Sequence, residues 1–283
     1  MWGRILLDEI EALVLGSDEV AAWFLGGAGI AVKTAECIFY VDPYFGGSPS
    51  KEWLRMTAVP IDPREVRKAT AVLSTHEHED HCHRDSVVPI VRNTRAFFIG
   101  PRASAERARV WMMEEQLDTS RVVEVKPGDV VNLGDTILRV FESEDRNART
   151  AVTYLIETPG GSLFHSGDSP YFPGLAAIGD SHEVDVAFLS IGRAGRGRRD
   201  YMTVCEAAKA LEDLRAKAVV PIHYDLWKST MEDPKLLELL IRAWGIKAKV
   251  IIMRLGDLLK LKRGHLSKSN RFLPAVRAVS DEG

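Results

Sequence analysis

The chain has 283 residues, of which 46% are hydrophobic and 27% charged, the ordinary composition of a globular protein. A formal net charge of −3 argues against general nucleic-acid or membrane-surface binding. Three widely spaced cysteines, Cys37, Cys82 and Cys205, make neither a disulfide framework nor a zinc-finger pattern and suit a reducing cytoplasm.

The N-terminal stretch "MWGRILLDEIEALVLGSDEV" is interrupted by Asp8, Glu9 and Glu11, which the apolar core of a signal peptide would exclude. Ile5, Leu6, Ile10, Leu13 and Val14 recur near helical spacing and predict an amphipathic helix. No run reaches the ~18 apolar residues of a membrane span. Three β-prone runs follow, "AAWFLG", "GIAVKT" and "CIFYVDPYF", the first two joined through Gly26, Gly27 and Gly29 as in a hairpin. Residues 48–66 hold three prolines and read as a loop. "ATAVLS" and "RAFFIG" are strands, and "DSVVPIVRNT" and "GPRASAERARVWMMEEQ" are helices. A meander is predicted over "RVVEVKPGDVVNL", "DTILRVFESE" and "TAVTYLIETPGGSLFHSGDS", with turns at "KPGD" and "TPGG". Then come a buried strand "VDVAFLSIG", a helix "TVCEAAKALEDL", a strand "AKAVVPIHYDLW" ending in polar residues, and a helix "DPKLLELLIRAWG". "AKVIIMRLGDLLKL" reads as a final pair of strands, and no structure is assigned to the basic, then weakly apolar, tail.

No repeat period and no low-complexity run is present. Strands followed by helices fill the first half, and the second half repeats that order. Two sheets packed face to face with helices outside would accommodate this, as one α/β domain over residues 1–283 made of two similar halves.

The chemistry concentrates in "THEHEDHCH", Thr75 to His83, where His76, His78, His81 and His83 supply half of the chain's 8 histidines. The cluster sits where the strand "ATAVLS" ends. Residues two apart on a strand point to one side, so His76 and His78 can reach one ion. Asp80 and His81 follow in the turn and can reach a second point nearby. Imidazole suits zinc, manganese, iron and nickel, and an added carboxylate suits harder ions and can bridge two. The alternative is a solvated charged loop, which the H-x-H-x-D-H spacing at a strand end disfavours.

"THEHEDH" resembles the H-x-H-x-D-H signature of the metallo-β-lactamase fold. "AAWFLGGAGIAVKT", "FIGP", "VVEVKPGDVV", "TPGGSLFHSGDS" and "AKAVVPIHYDLW" are similar to segments of its L-ascorbate-6-phosphate lactonase branch, in order from about Ala21 to about Asp257. The resemblance implies a four-layer αβ/βα sandwich with a site for two divalent metal ions, zinc or manganese, where the sheet edges meet. It implies His76 and His78 as ligands of the first ion, Asp80 and His81 of the second, Asp168 as the bridge, and His223 completing the second site. Asp42 matches a position that supports the metal-binding loops without binding metal. Many relatives place a further histidine where this chain reads "VFESEDRNART"; Asp145 is the candidate ligand there and Glu142 the runner-up, the alternative being that neither binds. An extra carboxylate would tilt the site toward manganese. His165 lines the site or is a buried structural histidine, the second being favoured. His83, His182 and His265 read as surface or supporting residues, and Cys82 as a packed thiol.

The implied activity is metal-dependent hydrolysis of a small, anionic substrate, a lactone or phosphosugar lactone-like ester, with Asp80 orienting the attacking water or taking its proton. "HSGDS" is not the G-x-S-x-G nucleophile elbow, so a serine hydrolase is not expected. Arg193, Arg196, Arg198 and Arg199 crowd into "SIGRAGRGRRDYMT"; Arg196 is the candidate for binding the substrate's anionic group, against the alternative of a solvated loop. Trp53, Tyr44, Tyr171 and Trp227 are either an apolar wall or core anchors. A phosphodiesterase or nuclease of the same fold, and a non-catalytic metal-binding regulator, are the competing readings. A small-molecule substrate is expected, with no nucleic-acid or membrane partner; a homo-oligomer stays open.

Overall fold

The computed structural model describes residues 2–193, 201–263 and 265–269. In chain order the first half holds α1 (Trp2–Ala12), β1 (Glu19–Gly26), β2 (Gly29–Lys33), β3 (Ile38–Val41), β4 (Ala71–Leu73), α2 (Arg84–Thr94), β5 (Phe97–Pro101), α3 (Arg102–Glu114) and β6 (Val122–Val125). The second holds β7 (Val130–Leu133), β8 (Thr136–Glu142), β9 (Val152–Thr158), β10 (Gly161–His165), α4 (Gly174–Ser181), β11 (Val186–Ser190), α5 (Val204–Asp213), β12 (Ala218–Ile222), α6 (Lys235–Ala243), β13 (Lys249–Val250), β14 (Leu258–Lys262) and β15 (His265–Ser269). None of the helices among the described residues is long and apolar enough to cross a membrane.

The alternation in β1 shows how the layers form. Val20, Ala22 and Phe24 point one way, into a core shared with the second sheet. Ala21, Trp23 and Leu25 point the other way, into a second core with Ile10 of α1, Val87 and Ile90 of α2, and Ala105, Ala108 and Met112 of α3. The first sheet runs β15-β14-β1-β2-β3-β4-β5-β6 and the second β13-β12-β11-β10-β9-β8-β7. From the second sheet, Val140, Tyr154, Phe188 and Val220 join the core between the sheets, while Phe164, Leu189 and Val219 face α4, α5 and α6. The result is helix, sheet, sheet, helix, the expected four-layer αβ/βα sandwich. Each large apolar side chain buried between the sheets contributes roughly 1.5–3 kcal/mol.

Three local features differ from the sequence reading. The run after Arg121 does not belong to the meander: β6 pairs in parallel with β5 in the first sheet, and the "KPGD" turn carries the chain across to β7. Helix α4 lacks helical periodicity in sequence because Pro170, Pro173, Gly174 and Gly179 dilute it. The tail contributes β15, which pairs antiparallel with β14 from Leu258↔Ser269 to Lys262↔His265.

In both sheets β3, β4, β10 and β12 have parallel partners. Parallel strands present their C-terminal ends together, and ligand sites in such sheets form beyond those ends. Asp42, the His76–His81 turn, Asp168 and His223 all follow directly from these four strands.

Candidate metal centre

The turn after β4 is set by hydrogen bonds that its own sequence supplies. Ser74 Oγ donates to the His76 carbonyl at 2.8 Å, and the His81 and Cys82 amides donate to the His78 carbonyl at 3.0 and 2.8 Å. This folds Thr75 to Cys82 into one compact turn with His76 and His81 fully buried.

Asp42 organises the turn from β3. Its backbone is in the left-handed region, at φ 45°. Its carboxylate accepts from the Thr75 amide and hydroxyl, both at 2.7 Å, and from His81 Nδ1 at 2.8 Å. Because the Thr75 hydroxyl donates to Asp42, it acts as acceptor toward His76 Nδ1 at 3.1 Å. His76 therefore carries its proton on Nδ1 and turns the Nε2 lone pair inward. His78 Nε2 lies 3.3 Å from the Asn147 carbonyl, which can only accept, so its Nδ1 lone pair is also inward. These two lone pairs face each other at 2.9 Å. Like lone pairs at that distance repel, and a cation beside them, about 2.0–2.1 Å from each, relieves the conflict.

From the second sheet come the carboxylates. Asp145 follows β8; its Oδ1 accepts from the Asn147 amide at 2.9 Å, while Oδ2 is buried without a hydrogen-bond partner, 3.6 Å from His76 Nε2. Asp168 follows β10, with Oδ2 3.1 Å from His81 Nε2 and 3.9 Å from His76 Nε2, and Oδ1 3.6 Å from His223 Nε2. Asp168 can lie this close because Gly167 presses on the first sheet: a Cβ there would sit 2.9 Å from Thr75 Cβ. His223 follows β12 at φ 66°, held by its amide donating to the Gly27 carbonyl at 2.8 Å. Non-glycine residues at such angles store strain, and Asp42 and His223 both do so at this centre. His223 Nε2 lies 3.2 Å from Asp80 Oδ2 and 3.2 Å from His81 Nε2.

Three overlapping groups result, each with one donor atom per residue within 4.8 Å of the others: His76, His78 and Asp145; Asp80, His81 and His223; and His76, His81 and Asp168 between them. The donor set, the two opposed lone pairs and the partnerless oxygens Asp145 Oδ2 and Asp168 Oδ1 fit divalent cations bound by nitrogen and oxygen.

The electrostatics agree. Burial disfavours a charged His81, yet Asp168, Asp42 and Asp80 outweigh it and raise its pKa well above the usual histidine range. His223 is raised despite burial by Asp168 and Asp80. Burial and then Asp168 raise Asp145. The two histidine directions, both won against burial by carboxylates, report excess negative charge that favours positive charge at this spot. His76 is pushed well below the usual range by burial, His81 and His78, which keeps it neutral, the form that binds metal.

The centre opens into a cavity of about 410 Å³ lined by Pro49, Trp53, His78, Glu79, Asp80, Asp145, Asn147, Asp168, Tyr201 and Trp227. The structure thus brings together His76, His78, Asp80, His81, Asp145, Asp168 and His223. Glu142, the runner-up, is exposed. His165 is structural: its Nε2 lies 2.9 Å from the Ala28 carbonyl and its Nδ1 accepts from the Gly167 amide at 3.1 Å. Cys82 is a buried thiol whose pKa burial raises to about 12. Tyr171 stands apart, donating to Asp213 at 2.7 Å, and Tyr44 is buried against Trp227. Arg196, expected to bind the anionic group, lies outside the described residues. Asn147 and Tyr201 were missed in the sequence because neither residue type signals a site by itself.

A family model described as "Beta-lactamase superfamily domain" matches residues 38–224, which span Asp42, the histidine cluster, Asp145, Asp168 and His223. A Shigella flexneri protein named "Probable L-ascorbate-6-phosphate lactonase UlaG" is 32% identical, with the alignment covering 87% of this chain and 80% of that protein. A solved metallo hydrolase from the archaeon Ignicoccus hospitalis superposes with TM-score 0.68 at 22% identity, over 86% of this chain and 99% of its own. An isothiocyanate hydrolase from Delia radicum gut bacteria superposes with TM-score 0.67 at 14% identity, over 84% and 97%. By the matched family model and by this level of identity along most of its length, the chain belongs to the beta-lactamase superfamily.

Proposed function

We propose that the protein is a metal-dependent hydrolase that directs an activated water at a small anionic lactone or lactone-like ester, and that the chain is one domain built around that centre. The observation carrying this reading is the convergence of His76 Nε2 and His78 Nδ1, 2.9 Å apart, beside Asp145 Oδ2, which is buried without a hydrogen-bond partner. His76, His78 and Asp145 would hold one ion, and Asp80, His81 and His223 the other, with Asp168 as the bridge. Zinc suits the imidazoles, and Asp145 shifts the preference toward manganese. Divalent ions bound there would lower the pKa of a water and offset the charge that develops on the substrate oxygen.

The remaining work falls to this chain's residues. Asp80 would orient the attacking water and accept its proton. Trp53 and Trp227 give the cavity an apolar wall. Arg196 would pair with the substrate's anionic group. The relatives named for L-ascorbate-6-phosphate lactonase make a phosphorylated lactone the first substrate to try. The unpaired thiols of Cys37, Cys82 and Cys205 support a cytoplasmic setting.

The test combines metal analysis with turnover of phosphorylated lactones, their unphosphorylated parents and bis(p-nitrophenyl) phosphate. Lactone hydrolysis with bound zinc or manganese is the expected result. Faster turnover of the phosphodiester would replace this reading with a phosphodiesterase, and bound metal without any turnover would replace it with a binding protein.

A further inference from the structure

Asp80 Oδ2 receives a second contact besides His223. Trp227 Nε1 donates to it at 2.7 Å. An indole N–H is a donor only and needs a partner when buried, and Trp227 is 2% exposed. A carboxylate oxygen has two lone pairs, so a charge-assisted bond to one leaves the other for a cation.

The ring of Trp227 is itself held from the opposite layer. Its centroid lies 5.6 Å from that of Tyr44 and 5.8 Å from that of Trp53. The Met56 amide donates to the Leu226 carbonyl at 2.8 Å, and the Lys228 amide to the Leu54 carbonyl at 3.0 Å. Arg55 locks this loop by donating to the carbonyls of Tyr44, Gly46, Thr57 and Ala58 at 3.1, 2.8, 2.9 and 3.2 Å. Trp53 and Trp227 both line the cavity. The indole that touches Asp80 is therefore continuous with the wall that a substrate meets.

We propose that Trp227 is a positioning residue: its N–H aims Asp80 at the cation site shared with His81 and His223, while its ring, with Trp53, forms the surface on which the substrate's non-polar face rests. This rests on the metal reading above. Partners of metal ligands outside the coordination shell typically tune affinity by about 10–100-fold. Trp227 would act at that scale through the N–H alone.

The test is competitive chelator titration of the zinc-loaded protein, repeated with manganese. Trp227→Phe keeps a ring in the wall and removes the donor. It is expected to weaken zinc retention about 10–100-fold and to lower kcat more than it raises KM. Trp53→Ala removes wall and keeps the donor, whose loop stays tied by the Leu226 and Lys228 backbone bonds and the Tyr44 ring, so zinc retention should fall far less than in Trp227→Phe while KM rises. Native zinc affinity in Trp227→Phe would overturn the proposal. Should that variant fail to fold, the native protein labelled with ¹⁵N-indole decides. One of its 6 tryptophan N–H resonances should move on zinc loading, while that of Trp23, buried without a hydrogen-bond partner, stays in place. No moving resonance would overturn the proposal. A native protein that takes up neither zinc nor manganese would remove the metal reading, and this inference with it.

Discussion

Asp42 Oδ2 and His81 Nδ1 lie 2.8 Å apart with neither side chain exposed, and this contact decides which face of the imidazole the centre sees. With Nδ1–H committed to Asp42, Nε2 is the nitrogen of His81 that faces Asp80, Asp168 and His223. The same carboxylate holds the Thr75 amide and hydroxyl, so one residue just after β3 sets both the turn and the tautomer.

Asp42→Asn tests that dependence. An amide has one acceptor oxygen where Asp42 uses two, and its NH2 would face a donor. Zinc affinity should fall by about 10–100-fold. Unfolding stability should fall by roughly 1.5–3 kcal/mol, the scale of a hydrogen bond to a charged group. Chelator titration and urea unfolding measure the two effects; native values for both would show that Asp42 is not the organiser.

Asp168→Asn separates charge from shape at the proposed bridge. The amide keeps the side chain's volume but cannot hold two cations close together. Activity should drop by about a hundredfold or more, in the range of losing one preorganised charge-stabilising group. The thermal midpoint of the metal-free protein should change far less. Hydrolysis at the native rate would end the bridging role.

Gly179→Ala should destabilise, although alanine inside a helix is ordinarily worth about 1 kcal/mol over glycine. The reason is the close approach of α4 to the end of α5. A Cβ at Gly179 would lie 2.3 Å from the Asp213 carbonyl oxygen and 2.6 Å from the Leu214 carbonyl carbon, both backbone atoms. Overpacking of this kind costs about 1–3 kcal/mol. A denaturation midpoint at or above that of the native protein would contradict the packing described here.

Arg196→Ala addresses the anionic end of the substrate. The described residues lining the cavity include Glu79, Asp80, Asp145 and Asp168 and no lysine or arginine, so an anionic group held away from the proposed metal ions needs a cation from elsewhere in the chain. Loss of Arg196 should raise KM for a phosphorylated lactone, with kcat/KM down about ten- to a hundredfold, and leave the unphosphorylated parent nearly unchanged. Equal losses on both would show that Arg196 does not bind the anionic group.

The cluster was readable in sequence because strand-end position and H-x-H-x-D-H spacing act within one short segment. Asp168 and His223 follow other strands far along the chain, and only the family resemblance pointed to them. The sequence puts Asp145 ahead of Glu142 without placing either; in the structure the chain leaves β8 at Glu142, which is exposed, and turns Asp145 inward. Trp227 was expected as a wall or an anchor, and it is both, since ring packing and N–H donation use different parts of one indole. The transfer of β6 to the first sheet was illegible, because pairing partners are chosen by the packed layers and the "KPGD" turn serves either topology.

Tyr154 sits in β9, and its hydroxyl reaches across the interlayer core to donate to the Ser74 carbonyl at 2.7 Å, one residue before the histidine turn begins. The two sheets therefore meet the centre like two halves of a mould, and this bond works as a registration pin between them. His76, His78, Asp80 and His81 belong to one half, and Asp145, Asp168 and His223 to the other. Every distance among these donors that crosses the halves depends on how the sheets slide on each other. A substitution deep in the interlayer, at Phe24 or Phe188, would thus act on the centre as a misalignment, changing its spacing without touching any of its residues.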